Sequence, residues 1–199
     1  MKIMSFKKNA ENYFSNLSDN LGKVKVTEGE KSPGFFDAIE SVGQLAMAQS
    51  ETGKKIIFIG NGASASIASH MSTDFWKNGG IRAVAFNDAA LLTCLSNDCG
   101  YENVFGKSID MFADKGDILF AISSSGKSEN ILNGVKAARN QGTKVVTFSG
   151  FSSENPLRRM GDINFYVPDG AYGAVEILHL SICHCILDVI IMEKKGAAD

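Results

Sequence analysis

The feature that most constrains this chain is an alternation that starts near residue 55. Residues 55–60 (KIIFIG) form a short apolar run that ends in glycine. Similar runs follow at 81–86, 117–123, 143–149 and 162–167, each rich in β-formers and closed by turn or cap residues. Between most of them lie stretches with helical periodicity, at 65–77, 103–113, 128–140 and 174–193. Short strands that alternate with helices predict a parallel sheet covered on both faces. Five strands are too few for a closed eight-stranded barrel. The expected fold is therefore α/β, a three-layer αβα sandwich around a five-stranded parallel, doubly wound sheet.

The first fifty residues read differently. Phe14, Leu17 and Leu21 recur at helical spacing within Phe6–Leu21. Pro33 stands where a second helix could start, and Phe35, Ile39, Val42, Leu45 and Ala46 give that helix an apolar face; Gly53 is a plausible stop. Residues 1–52 are thus expected as an N-terminal helical arm on one domain spanning 1–199. At 199 residues and 44% hydrophobic content, the chain can bury a full core.

Charge and cysteine usage narrow the class. The net charge is −2 without a basic cluster, which argues against nucleic acid as a partner. Cys94, Cys99, Cys183 and Cys185 form no CxxC pair, and Met1–Asn9 is poor in apolar residues and carries three lysines. Free thiols, no leader and a cytoplasmic location are expected. Residues 174–192 are apolar enough to suggest a membrane span, but they include Glu176, His179, His184 and Asp188. Ionisable groups are costly in lipid, so a buried helix aiming polar groups at a site is the reading, with no membrane partner.

Ligands of such folds bind beyond the carboxyl ends of the strands. There the sequence places residues 60–64 (GNGAS) and 123–128 (SSSGKS). In the second loop, Gly126 permits a tight turn, the serines offer hydroxyls, and the next helix directs its N-terminus at the loop. This suits a phosphate monoester, although a serine-rich turn with Ser125 or Ser128 as helix cap would use the same residues. Neither loop is a Walker A or a GxGxxG motif. His70 and Asp74 lie four residues apart on one helix, and Glu176, Leu180 and His184 form an i, i+4, i+8 stripe on the last. Two imidazoles and two carboxylates suit zinc or another divalent first-row metal. A surface pair at i, i+4 and a buried ion pair are the plainer alternatives.

Taken in order, these segments resemble bacterial phosphoheptose isomerases of the sugar isomerase (SIS) family. The likeness rests on residues 60–64 followed by 70–74 (HMSTD), on 96–101 (SNDCGY), on 123–128, and on 176–184 (EILHLSICH). It implies isomerisation of sedoheptulose 7-phosphate to a mannoheptose 7-phosphate for surface glycans, in a homotetramer with one zinc per subunit. It implies metal ligands at His70, Asp74, Glu176 and His184, with Asp74 as base and His184 as acid. It implies sugar-phosphate contacts at Asn61, Gly62, Ala63, Asn97, Asp98, Ser123, Ser124, Ser125 and Ser128, and at Glu176. Two departures stand out. The family usually has glutamate where this chain has Asp74 and glutamine where it has Glu176, which makes the site more anionic. Other proteins of this kind bind sugar phosphates without turnover, bind proteins, or isomerise another sugar phosphate; the full His70, Asp74, Glu176 and His184 set favours the enzyme.

Overall fold

The computed structural model describes residues 5–197; residues 1–4 and 198–199 of the expected domain lie outside the described residues. A six-stranded sheet in the order β1-β6-β5-β4-β2-β3 forms the centre. All five expected strands are present, as β2 (Ile56–Gly60), β3 (Ala83–Ala85), β4 (Ile118–Ser123), β5 (Lys144–Ser149) and β6 (Ile163–Tyr166). They run parallel to one another. The sixth, β1 (Lys25–Glu28), lies inside the expected arm and pairs antiparallel with β6, Lys25 opposite Tyr166. The sheet is therefore mixed and one strand wider than the sequence predicted.

Successive side chains of the central strands point to opposite faces. Ile56 and Phe58 of β2, Ile118, Phe120 and Ile122 of β4, and Phe148 of β5 pack under α2 (Phe35–Glu51), α3 (Ala63–Lys77) and α7 (Tyr172–Gly196). Ile57, Ile59, Leu119, Ala121 and Val145 pack under α5 (Val104–Phe112) and α6 (Glu129–Asn140). The first face carries an aromatic ladder from Phe75 through Phe58, Phe120 and Phe148 to Phe165, with adjacent ring centroids 5.0–5.5 Å apart. At the opposite end from the loops of interest, buried Asp117 accepts hydrogen bonds from the Lys55 amide, the Lys55 ammonium and the Asp114 amide, and so fastens the starts of β2 and β4.

The arm contains α1 (Phe6–Leu21), capped by Ser5, and α2, which begins two residues after Pro33. An additional helix, α4 (Ala89–Cys99), lies between β3 and α5; it has no buried residue and its periodicity is weak in the sequence. By length and composition α7 could cross a membrane. Here it is a core helix: Val175, Leu178, His179, Ile182, Cys183, Ile186, Leu187 and Ile190 are buried in the domain.

Candidate active site

Chain order and strand order place the site. From β2 the chain moves outward to β3, returns past β2 to β4, and then continues the other way to β5 and β6. Direction therefore reverses between β2 and β4, and a crevice forms where their carboxyl ends part. The loops leaving these two strands are 60–64 and 123–128.

They line one pocket of about 230 Å³, with Asn61, Gly62, Ala63, Ser64, Ile122, Ser123, Ser124, Ser125, Ser128, Tyr172 and Glu176 around it. A larger groove of about 500 Å³ lies between α2 and α7, but its lining is mainly apolar and it holds none of the loop chemistry. Close approach builds the smaller pocket. A Cβ on Gly60 would sit 2.4 Å from the carbonyl oxygen of Ser64, so only glycine lets β2 turn so sharply into α3. Gly126 has φ +62°, and a Cβ there would lie 2.1 Å from the buried Asn155 Oδ1.

The serines divide their work. Ser123 Oγ accepts from the Gly126 amide at 3.2 Å and Ser125 Oγ from the Lys127 amide at 3.3 Å, so both brace the turn. Ser128 occupies the N-cap position of α6, yet its side chain makes no capping hydrogen bond. The Ser124 hydroxyl is buried without a protein hydrogen-bond partner. Among the serines of the 123–128 loop, these two hydroxyls make no hydrogen bond to the protein. Asn61 is held in place: its Nδ2 donates to Asn130 Oδ1 at 2.8 Å, and its Oδ1 accepts from Asn130 Nδ2 and from the Tyr101 hydroxyl, each at 2.9 Å.

Two helical turns beyond the pocket, at about 1.5 Å rise per residue, α3 and α7 bring three further residues together. Ligand atoms of His70, Asp74 and His184 all lie within 4.8 Å of one another. His70 Nε2 stands 3.3 Å from Asp74 Oδ2, and Asn78 Nδ2 donates to Asp74 Oδ1 at 3.2 Å. A donor set of two imidazole nitrogens and one carboxylate, partly open to solvent, matches a divalent-metal site that keeps a position free.

Not every expected residue joins these groups. Glu176 lines the pocket and stays out of the His70–Asp74–His184 cluster. Eight residues, about 12 Å of helical rise, separate it from His184 along α7, so its side chain borders the pocket while His184 faces His70 and Asp74. Asn97 and Asp98 lie on the last turn of α4, bonded to each other and exposed, and do not line the pocket. Their neighbour Tyr101 is the residue that reaches it, through Asn61. Sequence reasoning missed Ser64, Ile122 and Tyr172 in the lining; the position of Tyr172 at the start of the last helix was the available signal.

His179 is fully buried one turn past Glu176, with Nε2 3.1 Å from the Ser149 carbonyl oxygen. Burial pushes its pKa down to about 4, against a small rise from the bond to Ser149. The imidazole is therefore neutral, with Nε2 donating. It ties α7 to the end of β5, where the Gly150 amide donates to the Ser124 carbonyl at 2.9 Å.

A switch-point crevice with serine hydroxyls not spent on the protein, beside an imidazole–carboxylate cluster, suits a small phosphorylated ligand. A SIS domain family model matches residues 12–150, and the chain belongs to that family. The phosphoheptose isomerase of Aliarcobacter butzleri (strain RM4018) is 31% identical over 173 residues, 84% of this chain and 88% of that protein. That of Helicobacter hepaticus (strain ATCC 51449 / 3B1) is 33% identical over 159 residues, 77% of this chain and 81% of its own. The structure of phosphoheptose isomerase GmhA from Neisseria gonorrhoeae superposes with a TM-score of 0.82 at 26% identity, covering 94% of this chain and 99% of that one. Within the SIS family the chain is an isomerase, of the kind that acts on sugar phosphates.

Proposed function

We propose that the chain interconverts sedoheptulose 7-phosphate and D-glycero-D-manno-heptose 7-phosphate in the cytoplasm, supplying heptose for a surface glycan. The observation that carries this is the pairing of two sites along α3 and α7. A pocket with two uncommitted serine hydroxyls lies at one end, and the His70–Asp74–His184 cluster lies about 12 Å further on. An extended sugar phosphate has a comparable length.

The residues supply the parts an aldose–ketose isomerisation needs. Ser124 and Ser128 hold the phosphate, with the N-terminus of α6 behind them. Asp74 takes the proton from C1 of the ketose and returns it to C2. His184 gives a proton to the oxygen on C2 and takes one back from the hydroxyl on C1, so the enediol passes to the aldose with no net change in protons. His70, Asp74 and His184 would hold one divalent ion, zinc by the chemistry of the donors. Such an ion polarises a carbonyl and steadies negative charge on its oxygen. The assembly we propose is a homotetramer. Supporting it, Phe6, Phe14 and Phe36 of the arm helices are exposed, and Phe36 borders the apolar groove between α2 and α7.

The test is turnover of sedoheptulose 7-phosphate, and of a hexose 6-phosphate beside it, with elemental analysis of the same preparation. Turnover of the heptulose with one divalent ion per chain supports the reading. Turnover of the hexose phosphate alone moves the substrate, and binding without turnover of either makes the chain a sugar-phosphate binder.

A further inference from the structure

Tyr172 opens α7 and lines the pocket beside Glu176, yet the chemistry above leaves it without a task. It is 63% exposed, so burial in the core does not explain it. Its ring meets Phe151 edge to face, with centroids 4.8 Å apart and planes at 85°.

Phe151 is the only residue besides glycine with a positive φ among the described residues, at 56°. A bulky L side chain is disfavoured there and keeps that conformation only where its surroundings fix it. The surroundings are specific. The Phe151 amide donates to the Asp169 carbonyl at 3.0 Å, and the Tyr166 hydroxyl donates to the Phe151 carbonyl at 2.9 Å. The adjoining Gly150 amide is bonded to Ser124 of the phosphate loop. The strained residue therefore holds its ring against Tyr172 while its chain neighbour holds the loop.

The remaining lining shows what Tyr172 offers. Asn61, Glu176 and the serines are polar, Gly62 and Ala63 are small, and Ile122 is fully buried. The large exposed apolar surface in this pocket is the tyrosine ring. A sugar phosphate held by its phosphate presents polarised C–H bonds on the adjoining carbons, and an aromatic face, negative at its centre, attracts them.

We propose that Tyr172 is a specificity-determining residue whose ring packs against the C–H face of the sugar carbons next to the phosphate. Phe151 is a positioning residue that acts through it. The proposal rests on the sugar-phosphate reading above.

Four variants of the full chain test it: Tyr172→Ala, Tyr172→Phe, Phe151→Gly and the double variant with Tyr172→Ala. KM and kcat for sedoheptulose 7-phosphate are measured, with inorganic phosphate as a competitive inhibitor. Tyr172→Ala is expected to raise KM roughly tenfold, the scale of a lost apolar contact, with kcat and the phosphate inhibition constant unchanged. Tyr172→Phe should match wild type. Phe151→Gly should raise KM in the same direction, and the double variant no further than Tyr172→Ala alone, as for residues acting as one unit. A wild-type KM in Tyr172→Ala, or a phosphate constant that rises in step with KM, overturns the tyrosine role. Additive single effects overturn that of Phe151. If wild type turns over no sugar phosphate, the isomerase reading fails separately. Calorimetric titration with sedoheptulose 7-phosphate and with inorganic phosphate then makes the same comparison, and equal affinities of Tyr172→Ala and wild type for the sugar phosphate reject the proposal.

Discussion

The ring of His70 on α3 lies 5.3 Å from the ring of His184 on α7. The two histidines are far apart in sequence, so only the folded chain brings them together. An ion bound there would stabilise the fold by about 3–4 kcal/mol at a hundred- to thousandfold excess over its Kd. His184→Ala is expected to lose the metal, the matching part of the melting temperature, and turnover. Asp74→Asn should keep more metal than His184→Ala and still lose turnover, because it can ligate but cannot accept the substrate proton. Elemental analysis, thermal melts with and without chelator, and an activity assay check all of this. A chelator that leaves the wild-type melting temperature unchanged would sink the metal reading.

Ser124 and Ser128 carry the second prediction. Neither hydroxyl is spent on the protein, so Ser124→Ala with Ser128→Ala should cost binding far more than stability. Each hydrogen bond to a charged phosphate is worth about 1.5–3 kcal/mol. Titration with inorganic phosphate and a denaturant melt measure the two effects. Equal affinity in the variant would remove the loop from phosphate binding.

Gly126→Ala should damage the same loop through the backbone. The new methyl would collide with Asn155, which is held by its own bonds to the Gly150 and Ser152 carbonyls. The left-handed conformation alone costs an L residue about 1–2 kcal/mol. Lower stability together with weaker phosphate binding is expected in urea melts and titrations. A variant as stable as wild type would refute the close packing.

His179 predicts a pH dependence. Its folded pKa is about 4 against an ordinary 6.5. The unfolded chain therefore binds the proton first as pH falls. The contribution is intact above pH 6.5, declines below it, and is lost by about pH 4, an effect of about 3 kcal/mol from the size of the shift. Denaturant melts across that window should show the decline in wild type, and a shallower one in His179→Gln, which keeps a donor for Ser149 but does not titrate. Identical slopes in the two proteins would rule out His179 as the source.

Much of this was legible because the central strands are short, apolar and closed by turn residues. Both loops of the pocket could be read for the same reason: they follow β2 and β4, and strand ends in this topology are where ligands go. Lys25–Glu28 was not legible as a strand. Two of its four residues are charged, and its partner β6 lies at the other end of the chain. Helix α4 was missed because its weak periodicity buries nothing. The stripe of Glu176, Leu180 and His184 was read correctly as one face of a helix, but a face is not a point. Glu176 borders the pocket, and His184 joins the cluster about two turns further on. Tyr172 escaped notice because the ring packed against it belongs to Phe151, whose backbone angle no residue type announces.

The antiparallel pairing of β1 with β6 has a consequence for how the chain is made. Lys25 must wait for Tyr166 before it can take its place. At a synthesis rate of about 5–20 residues per second, the interval between them is roughly 7–30 s. Throughout that time the strand leaving the ribosome first has no partner. Any earlier sheet edge it joins is the wrong one. Its charged ends, Lys25 and Glu28, make it a poor match for the fully buried β4, an edge of the growing sheet before β5 is complete. The same shortness and charge that hid this strand from a sequence reading keep it out of premature pairings until the last edge is ready.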